Sequence, residues 1–344
     1  MRPRRDRATV LDGGVEGGRV DSGFIVRAPR PRPRRAQAQE PPAGSRGVRD
    51  PSESRFLSVD GHKIYVRTFA PRKPVGTLLC VHGGPGGTHD YLLPLADLVR
   101  SRWRVVFYDA LGCGRSDLPD GTDLYTFDHD LRVLDEVRRS VSPEPVHLMG
   151  SSYGGMLALG YAARHSEHLV SLNATGGLCD VRFAVREMQR LVRRLPRRAQ
   201  ATLRKLGARG EFLHPAYEAA TMVFYRRHLC RLWPWPDELV STILRTSRPV
   251  YNTMNGPNEF TIVGNIKDID FTSELHRIAV PTLLVHGRYD EVTPRVGQRI
   301  HRAIPGSLLR IFPRSSHVSF WEERADYLRL VGCFLAEAAG RRGA

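Results

Sequence analysis

The sequence predicts an α/β fold in which a mostly parallel, doubly wound sheet carries a helical lid inserted between two of its strands. From about residue 55, short apolar runs of strand length alternate with amphipathic runs of helical length, a pattern typical of such folds. The strand runs are apolar throughout, as expected for parallel strands covered on both faces. The alternation stops near Cys179 and resumes near Ile278, and the residues between them have a helical pattern.

The predicted sheet begins with a β-hairpin. Asp60-Gly61 is a tight-turn signal between the runs Phe56–Val59 and Lys63–Phe69. Further strands are predicted at Thr77–Val81, Val105–Tyr108, Val146–Met149, Leu169–Leu172, Thr282–Val285 and Leu308–Phe312. Helices are predicted at Tyr91–Arg100, Phe127–Ser140, Tyr153–His165, Pro294–Ile304 and Glu322–Ala339.

Composition divides the chain into three parts. Residues 1–50 are rich in Arg, Pro and Gly, and we expect a disordered tail because such a segment cannot bury a core. Residues 51–178 and 261–344 are assigned to the α/β core, and residues 179–260 to the lid. A lid inserted at this point should cover the carboxyl ends of the strands, where ligands bind in open α/β folds.

The net charge of +16 is concentrated in the tail and the lid. Residues 1–50 contain 12 Arg against 6 acidic residues, and residues 181–250 contain 15 Lys or Arg against 5. No helix-turn-helix, zinc-finger or RNP signature accompanies this charge, which argues against specific nucleic-acid recognition. A non-catalytic protein that binds polyanions through the basic tail and lid stays open as an alternative.

Cysteine usage and hydropathy exclude further classes. The five cysteines form no CxxC pair, so neither a metal site nor a disulfide framework is predicted. No apolar run approaches the roughly 20 residues that span a bilayer, and we expect no membrane association. Arg4-Arg5 is similar to part of a twin-arginine signal, but no apolar segment of about 7–15 residues follows it. A cytoplasmic location is therefore predicted.

A candidate nucleophile lies between a predicted strand and a predicted helix. Gly150-Ser151-Ser152-Tyr153-Gly154 matches the pattern G-x-S-x-G, which forms a tight strand-to-helix turn that exposes the central hydroxyl. The spacing from both glycines makes Ser152 the centre, and Ser151 the residue before it. The helix that follows directs its N-terminus at developing negative charge.

A serine nucleophile needs a base and an acid that orients the base. In this arrangement the acid and then the histidine follow the serine along the chain. Asp290 and Glu291 come just after the strand Thr282–Val285, and His317 follows the strand Leu308–Phe312. His317 is the predicted base. Asp290 is preferred over Glu291 as its partner, because adjacent side chains cannot both face one imidazole.

The segment His82-Gly-Gly-Pro-Gly-Gly87 follows the strand Thr77–Val81. Its glycines allow a backbone N–H to approach a substrate carbonyl oxygen closely. We expect the oxyanion hole to comprise the N–H of Gly84, or of its neighbour Gly83, and that of Tyr153. A phosphate-binding loop would require Gly-Lys-Ser/Thr, which is absent.

Taken together, these motifs resemble the prolyl iminopeptidase family of α/β-hydrolases from about Arg55 to about Val331. A lid segment is similar to the tricorn-interacting aminopeptidase branch. The motifs concerned are His82–Gly86, Asp109–Ser116, Gly150–Gly155, Gly287–Pro294 and, in the lid, Met254–Phe260. The resemblance implies the α/β-hydrolase fold, a triad of Ser152, Asp290 and His317, and no cofactor. One departure is Ala110, where the family usually has Gln.

The resemblance also implies that Glu259 and Glu291 bind the α-ammonium of a substrate. Two carboxylates beside one cation suit an exopeptidase, which must recognise a free N-terminus. The alternatives are a solvated lid residue for Glu259 and an ion pair with Arg288 or Arg295 for Glu291. The leading hypothesis is a serine aminopeptidase that releases N-terminal proline or other apolar residues from short peptides. An amino-acid amidase or esterase is the alternative.

Overall fold

The computed structural model describes residues 53–342. The strands are β1 Glu53–Val59, β2 His62–Phe69, β3 Gly76–Val81, β4 Trp103–Tyr108, β5 Val146–Ser151, β6 Leu169–Thr175, β7 Thr282–Gly287 and β8 Leu308–Phe312. These eight strands form one sheet in the order β1-β2-β4-β3-β5-β6-β7-β8. Strands β1 and β2 pair antiparallel with each other and β2 with β4, whereas all other neighbours are parallel. The predicted mostly parallel sheet is confirmed.

Ten α-helices accompany the sheet in the described part of the chain. They are α1 Phe127–Val141, α2 Tyr153–Arg164, α3 Val181–Val192, α4 Arg197–Gly207, α5 Pro215–His228, α6 Asp237–Leu244, α7 Arg248–Met254, α8 Pro294–Ala303, α9 Ser319–Glu322 and α10 Arg324–Arg342. Strands β3, β5 and β7 are buried along most or all of their length. Helices α1, α2 and α8 contribute to one apolar core, and α10 contributes to a second. The sheet is therefore covered on both faces, as its apolar strands predict.

Two predicted helices differ from the observed ones. The segment predicted as a helix over Tyr91–Arg100 consists of 3-10 turns over His89–Ser101. Pro94 lies inside it, and proline has no N–H to donate to an α-helical ladder. The segment predicted as one helix over Glu322–Ala339 is broken at Glu323 into α9 and α10.

The β-hairpin at the start of the sheet forms as predicted. Val59 pairs with His62 across a turn in which Asp60 has φ 50° and Gly61 has φ 82°. These left-handed angles suit a tight hairpin, and Gly61 adopts them without a steric penalty. The predicted tail, residues 1–50, lies outside the described residues.

Helices α3–α7 are inserted between β6 and β7, at the carboxyl edge of the parallel strands. The insertion contacts the glycine-rich loop after β3, since the Ser247 N–H donates to the Gly86 carbonyl at 2.8 Å. The Thr242 and Thr88 hydroxyls are also hydrogen-bonded, at 3.0 Å. The insertion thus lies over the edge at which the predicted site residues are found. Among residues 53–342, the structure contains no helix with the length and apolarity needed to cross a bilayer.

Candidate active site

Ser152 lies in the turn between β5 and α2, as the N-cap of α2. Its φ of 59° and ψ of −124° are strained for a residue with a side chain. A Cβ at Gly150 would lie 2.0 Å from the Gly154 carbonyl oxygen, and a Cβ at Gly154 would lie 2.3 Å from the Val81 oxygen. Both glycines are therefore required by the packing of this turn. Ser151 is the last residue of β5 and is fully buried.

His317 and Asp290 are joined by a hydrogen bond between Nδ1 and Oδ1 of 2.6 Å. Asp290 follows β7, and its Oδ1 also accepts the Val292 N–H at 2.9 Å. Both side chains are almost completely buried. Among the described residues, the other ring nitrogen of His317, Nε2, is buried without a hydrogen-bond partner. The imidazole is thus fixed on one side and has a free nitrogen on the other.

The end of β6 brings Ser152 and His317 to the same place. The Ser152 N–H donates to the Thr175 carbonyl at 2.9 Å. At the next residue, Gly176, an added Cβ would lie 2.6 Å from His317 Cε1. Two consecutive residues therefore contact the predicted nucleophile and the predicted base. The close approach also explains why residue 176 is glycine, which has φ 58° here.

The glycine-rich loop also lies against Ser152. A Cβ at Gly83 would be 2.7 Å from the Ser152 Cβ. The Gly83 N–H donates to the Tyr91 hydroxyl at 2.7 Å, so it is already occupied. No protein acceptor faces the Gly84 N–H within residues 53–342. Of the two alternatives for the oxyanion hole, this geometry favours Gly84, together with the N–H of Tyr153 at the start of α2.

Glu259 and Glu291 line one cavity with Ser152 and Tyr153. The Tyr251 hydroxyl donates to Glu259 Oε1 at 2.7 Å. Glu291 is 2% exposed, and its Oε1 lies 3.8 Å from His317 Nε2. Among residues 53–342, no Lys or Arg lines this cavity. Its apolar lining comes from Pro85, Met156, Leu178, Met188, Ile262, Ile266 and Val292. The cavity combines two carboxyl groups with an apolar wall.

The alternative ion pairs of Glu291 are not formed. Arg295 lies 3.7 Å from Glu187, and the guanidinium of Arg288 lies over the Tyr289 ring. Glu259 is only partly buried, but its contact with Tyr251 directs it away from a purely solvated position.

Burial and charge shift the pKa values of the site in opposite directions. Burial alone would raise the pKa of Asp290, but His317 and His286 lower it below its ordinary value. Burial would lower the pKa of His317, but Asp290, Glu291 and Glu259 raise it to about 9. Burial raises the pKa of both Glu259 and Glu291, and the charges of Glu259 and Asp290 add to the rise at Glu291. Both glutamates are therefore biased toward their neutral form, and a cation bound beside them would favour their ionised form.

Two tyrosines of the site were not predicted from the sequence. Tyr91 occupies the Gly83 N–H, and Tyr251 holds Glu259. Neither belongs to a glycine or Ser-His-Asp motif, and only their place in the fold shows what they contact. The motif Asp109–Ser116 folds back on itself, and the Arg115 N–H donates to Asp109 Oδ2 at 3.0 Å.

Comparisons with known proteins agree with this fold. Residues 76–324 match the family model described as the alpha/beta hydrolase fold. The chain is 44% identical to a proline iminopeptidase of Saccharolobus solfataricus over 82% of this chain and 92% of the relative. It is 41% identical to one of Thermoplasma volcanium, over 82% and 96%.

Two solved structures superpose on most of the described chain. A proline iminopeptidase of Mycobacterium smegmatis has a TM-score of 0.79 at 31% identity, covering 84% of this chain and all of that one. The structure of VinJ has a TM-score of 0.80 at 33% identity, covering 84% and 99%. The protein described above is therefore a hydrolase that belongs to the proline iminopeptidase family of α/β-hydrolases.

Proposed function

We propose that the protein is a serine aminopeptidase that releases N-terminal proline, or other mainly apolar residues, from short peptides with a free N-terminus. The observation that carries this proposal is the cavity beside Ser152, which both Glu259 and Glu291 line and which, among residues 53–342, no Lys or Arg lines. A substrate ammonium would stabilise the ionised forms of these two carboxyl groups, whose pKa values burial raises. The relatives named proline iminopeptidase support the same substrate class.

The proposed reaction proceeds through an acyl-enzyme. Ser152 Oγ attacks the first peptide carbonyl carbon while His317 Nε2 takes the hydroxyl proton. Asp290, hydrogen-bonded to Nδ1 at 2.6 Å, holds the imidazole and stabilises its protonated form. The N–H groups of Gly84 and Tyr153 would stabilise the oxyanion.

Collapse of the tetrahedral intermediate breaks the peptide C–N bond. His317 gives its proton to the leaving amine, and the shortened peptide departs. A water molecule then attacks the ester carbonyl of the acyl-enzyme, with His317 again acting as base. Hydrolysis regenerates the Ser152 hydroxyl and releases the amino acid.

The end of the cavity would exclude a substrate whose chain continues past the ammonium position beside Glu259. In this proposal, segment 179–260 acts as a lid that carries Glu259 to the site, and Glu291 comes from the core loop beside Asp290. The apolar wall, which includes Met156, Leu178 and Ile262, suits an apolar first residue. Because both carboxyls lie near Ser152, only the first peptide bond would reach the nucleophile.

The deciding experiment compares a proline arylamide with its N-acetylated form and with a simple acyl ester. The wild type should cleave the free arylamide and leave the acetylated one intact, because acetylation removes the positive charge. Equal cleavage of both arylamides would overturn the ammonium clamp and favour the amidase or esterase alternative. Hydrolysis of none of them, with correctly folded protein, would favour the non-catalytic alternative.

A further inference from the structure

Asp130 is a buried carboxyl group that the proposed reaction does not use. It lies in the first turn of α1 and is 7% exposed. The Tyr153 hydroxyl donates to its Oδ2 at 2.7 Å. Among residues 53–342, no Lys, Arg or His forms an ion pair with it. A buried carboxyl without a cation is unfavourable for folding, so its retention calls for a functional explanation.

Within the described part of the chain, no compensating positive charge lies beside Asp130. The Tyr108 and Tyr153 hydroxyls and the Cys113 thiol interact with it, and all three are buried. His82 lines the same cavity, but its Nε2 accepts the Ala110 N–H at 3.0 Å and burial lowers its pKa, so it is not a cation there. Burial raises the pKa of Asp130 to about 7, against the opposing effect of the Tyr153 hydrogen bond. The hydrogen bond from Tyr153 is therefore its main stabilising contact.

Asp130 also borders a second cavity, on the far side of the oxyanion residues. Its lining includes Pro85, Ala110, Asp130 and Tyr153. Pro85 and Tyr153 line the Ser152 cavity as well, so they form a wall between the two spaces. Ala110, where the family resemblance leads one to expect Gln, lines the same cavity.

Tyr153 connects this carboxyl group to the reaction. Its backbone N–H is the first of α2 and follows the strained Ser152 directly. Its ring is buried and packs edge-to-face on Phe127, with centroids 6.5 Å apart. The hydrogen bond from the Tyr153 hydroxyl to Asp130 fixes the far end of this ring. It thereby also fixes the wall between the two cavities and the start of α2.

We propose that Asp130 is a positioning residue that acts through the Tyr153 hydroxyl to hold the Tyr153 N–H of the oxyanion hole in place. The inference rests on the proposed function only for the role of that N–H, which any acyl transfer at Ser152 would use. Oxyanion donors are effective only when they point at the position of the oxyanion. Removal of one such donor lowers the rate of known enzymes by about 10²–10³-fold. Loss of the hydrogen bond that holds the Tyr153 side chain should lower the rate by less than removal of the donor itself.

The test compares Asp130→Ala, Asp130→Asn and Tyr153→Phe, using an acyl ester and proline arylamide as substrates. Asp130→Ala and Tyr153→Phe should each lower kcat by about 10-fold, with KM changed less than twofold. The Asn side chain keeps an oxygen that accepts the Tyr153 hydrogen bond, so Asp130→Asn should stay within about threefold of wild type. The double variant Asp130→Ala with Tyr153→Phe should be no slower than either single variant, because both remove the same contact.

A matched control exists on the same two helices. The Tyr161 hydroxyl of α2 donates to Asp135 Oδ1 of α1 at 2.6 Å, away from the nucleophile. Tyr161→Phe removes an equivalent helix–helix contact, and Asp135→Ala removes it together with the ion pairs to Arg138 and Arg139. Both should lower Tm without lowering kcat. An equal loss of kcat in both pairs would reduce Asp130 to a general stabilising role and overturn the proposal.

Binding of boroproline gives a readout that a purely structural role would not move. Its boron forms an anionic tetrahedral adduct with a serine hydroxyl, which occupies the oxyanion hole. Its affinity should fall about 10-fold in Asp130→Ala and Tyr153→Phe, whereas the affinity for proline should not change. Unchanged boroproline affinity would overturn the inference. If Asp130→Ala does not fold, Tyr153→Phe decides the outcome alone, and a wild type inactive on every substrate would instead count against the proposed function.

Discussion

Asp290 and Glu291 are adjacent in the chain and both almost completely buried, yet their pKa values are shifted in opposite directions. Asp290 accepts hydrogen bonds from His317 at 2.6 Å and from the Val292 N–H at 2.9 Å, and its pKa is lowered despite burial. Glu291 has no hydrogen-bond donor for Oε2 in the described chain, and burial raises its pKa well above its ordinary value. Burial alone therefore does not decide the charge of a carboxyl group; its donors do.

The difference separates two functions. Asp290 Oδ2 also has no hydrogen-bond partner in the described chain, but the two donors at Oδ1 and the charge of His317 stabilise the carboxylate. Such a carboxylate can hold an imidazole through the whole reaction. A buried carboxylate that lacks donors is unfavourable in the unliganded site, and a bound cation stabilises it. In the proposed mechanism, Asp290 would therefore act on every substrate, and Glu291 would bind only substrates that carry an ammonium group.

The largest expected effect separates the two by chemistry. Asp290→Asn should lower kcat by about 10⁴-fold on both proline arylamide and an acyl ester, because the imidazole loses its orienting anion. Ser152→Ala should lower it at least as much. Steady-state kinetics with far-UV circular dichroism as a folding check measures both variants. Turnover near wild type in Ser152→Ala would remove that residue from the reaction.

The next effect depends on the substrate. Glu291→Gln and Glu259→Gln should each lower kcat/KM on free proline arylamide by about 10- to 150-fold, the equivalent of about 1.5–3 kcal/mol for a charge-assisted contact. Hydrolysis of an acyl ester without an amino group should change little. A parallel loss on both substrates would make Glu291 part of the same unit as Asp290 and would break the comparison.

A pH measurement sharpens the comparison further. The pKa of His317 is raised to about 9, against burial, by Asp290 first and then by Glu291 and Glu259. Since the base must be neutral, kcat/KM on an acyl ester should rise with pH up to about 9. Glu291→Gln removes one of the charges that raise the pKa of His317, so the rise of kcat/KM with pH should move to lower pH. An identical pH profile in both proteins would show that Glu291 does not affect the pKa of the imidazole.

The smallest effect extends the contrast to α1, where Asp130 and Asp135 each accept from a tyrosine. Burial raises the pKa of Asp130 from 3.8 to about 7, so the folded state binds the proton more tightly and loses stability as pH rises through that window. At Asp135, burial is outweighed by Tyr161 and Arg138, which lower the pKa.

Asp130→Asn removes this penalty and should raise Tm by about 2–4 °C at pH 8, the shift that about 1 kcal/mol produces in a domain of this size. At pH 4 the gain should vanish, because Asp130 is then protonated in the folded wild type. Asp135→Asn should instead lower Tm at pH 8. Thermal melts at the two pH values measure all three proteins, and a gain at pH 4 equal to that at pH 8 would contradict the protonation argument.

Several parts of this protein follow from the sequence alone, because they are local. The turn at Ser152 is specified by Gly150 and Gly154, whose missing side chains allow the backbone to approach within the distances that the structure has. The parallel sheet follows from apolar runs of strand length, and the pairing of Asp290 with His317 from loops after consecutive strands. Each of these depends on a few neighbouring residues and on general rules of chain topology.

Other features were decided only by tertiary structure. Gly84 rather than Gly83 has the free N–H because Tyr91 happens to reach the latter. Glu259 meets Glu291, 32 positions later in the chain, only because the helical insertion folds back over the sheet. The contact between Asp130 and Tyr153 joins two helices and has no local pattern. In each case the partner is distant in the chain, so the contact is set by the packing of whole elements, which local sequence patterns do not specify.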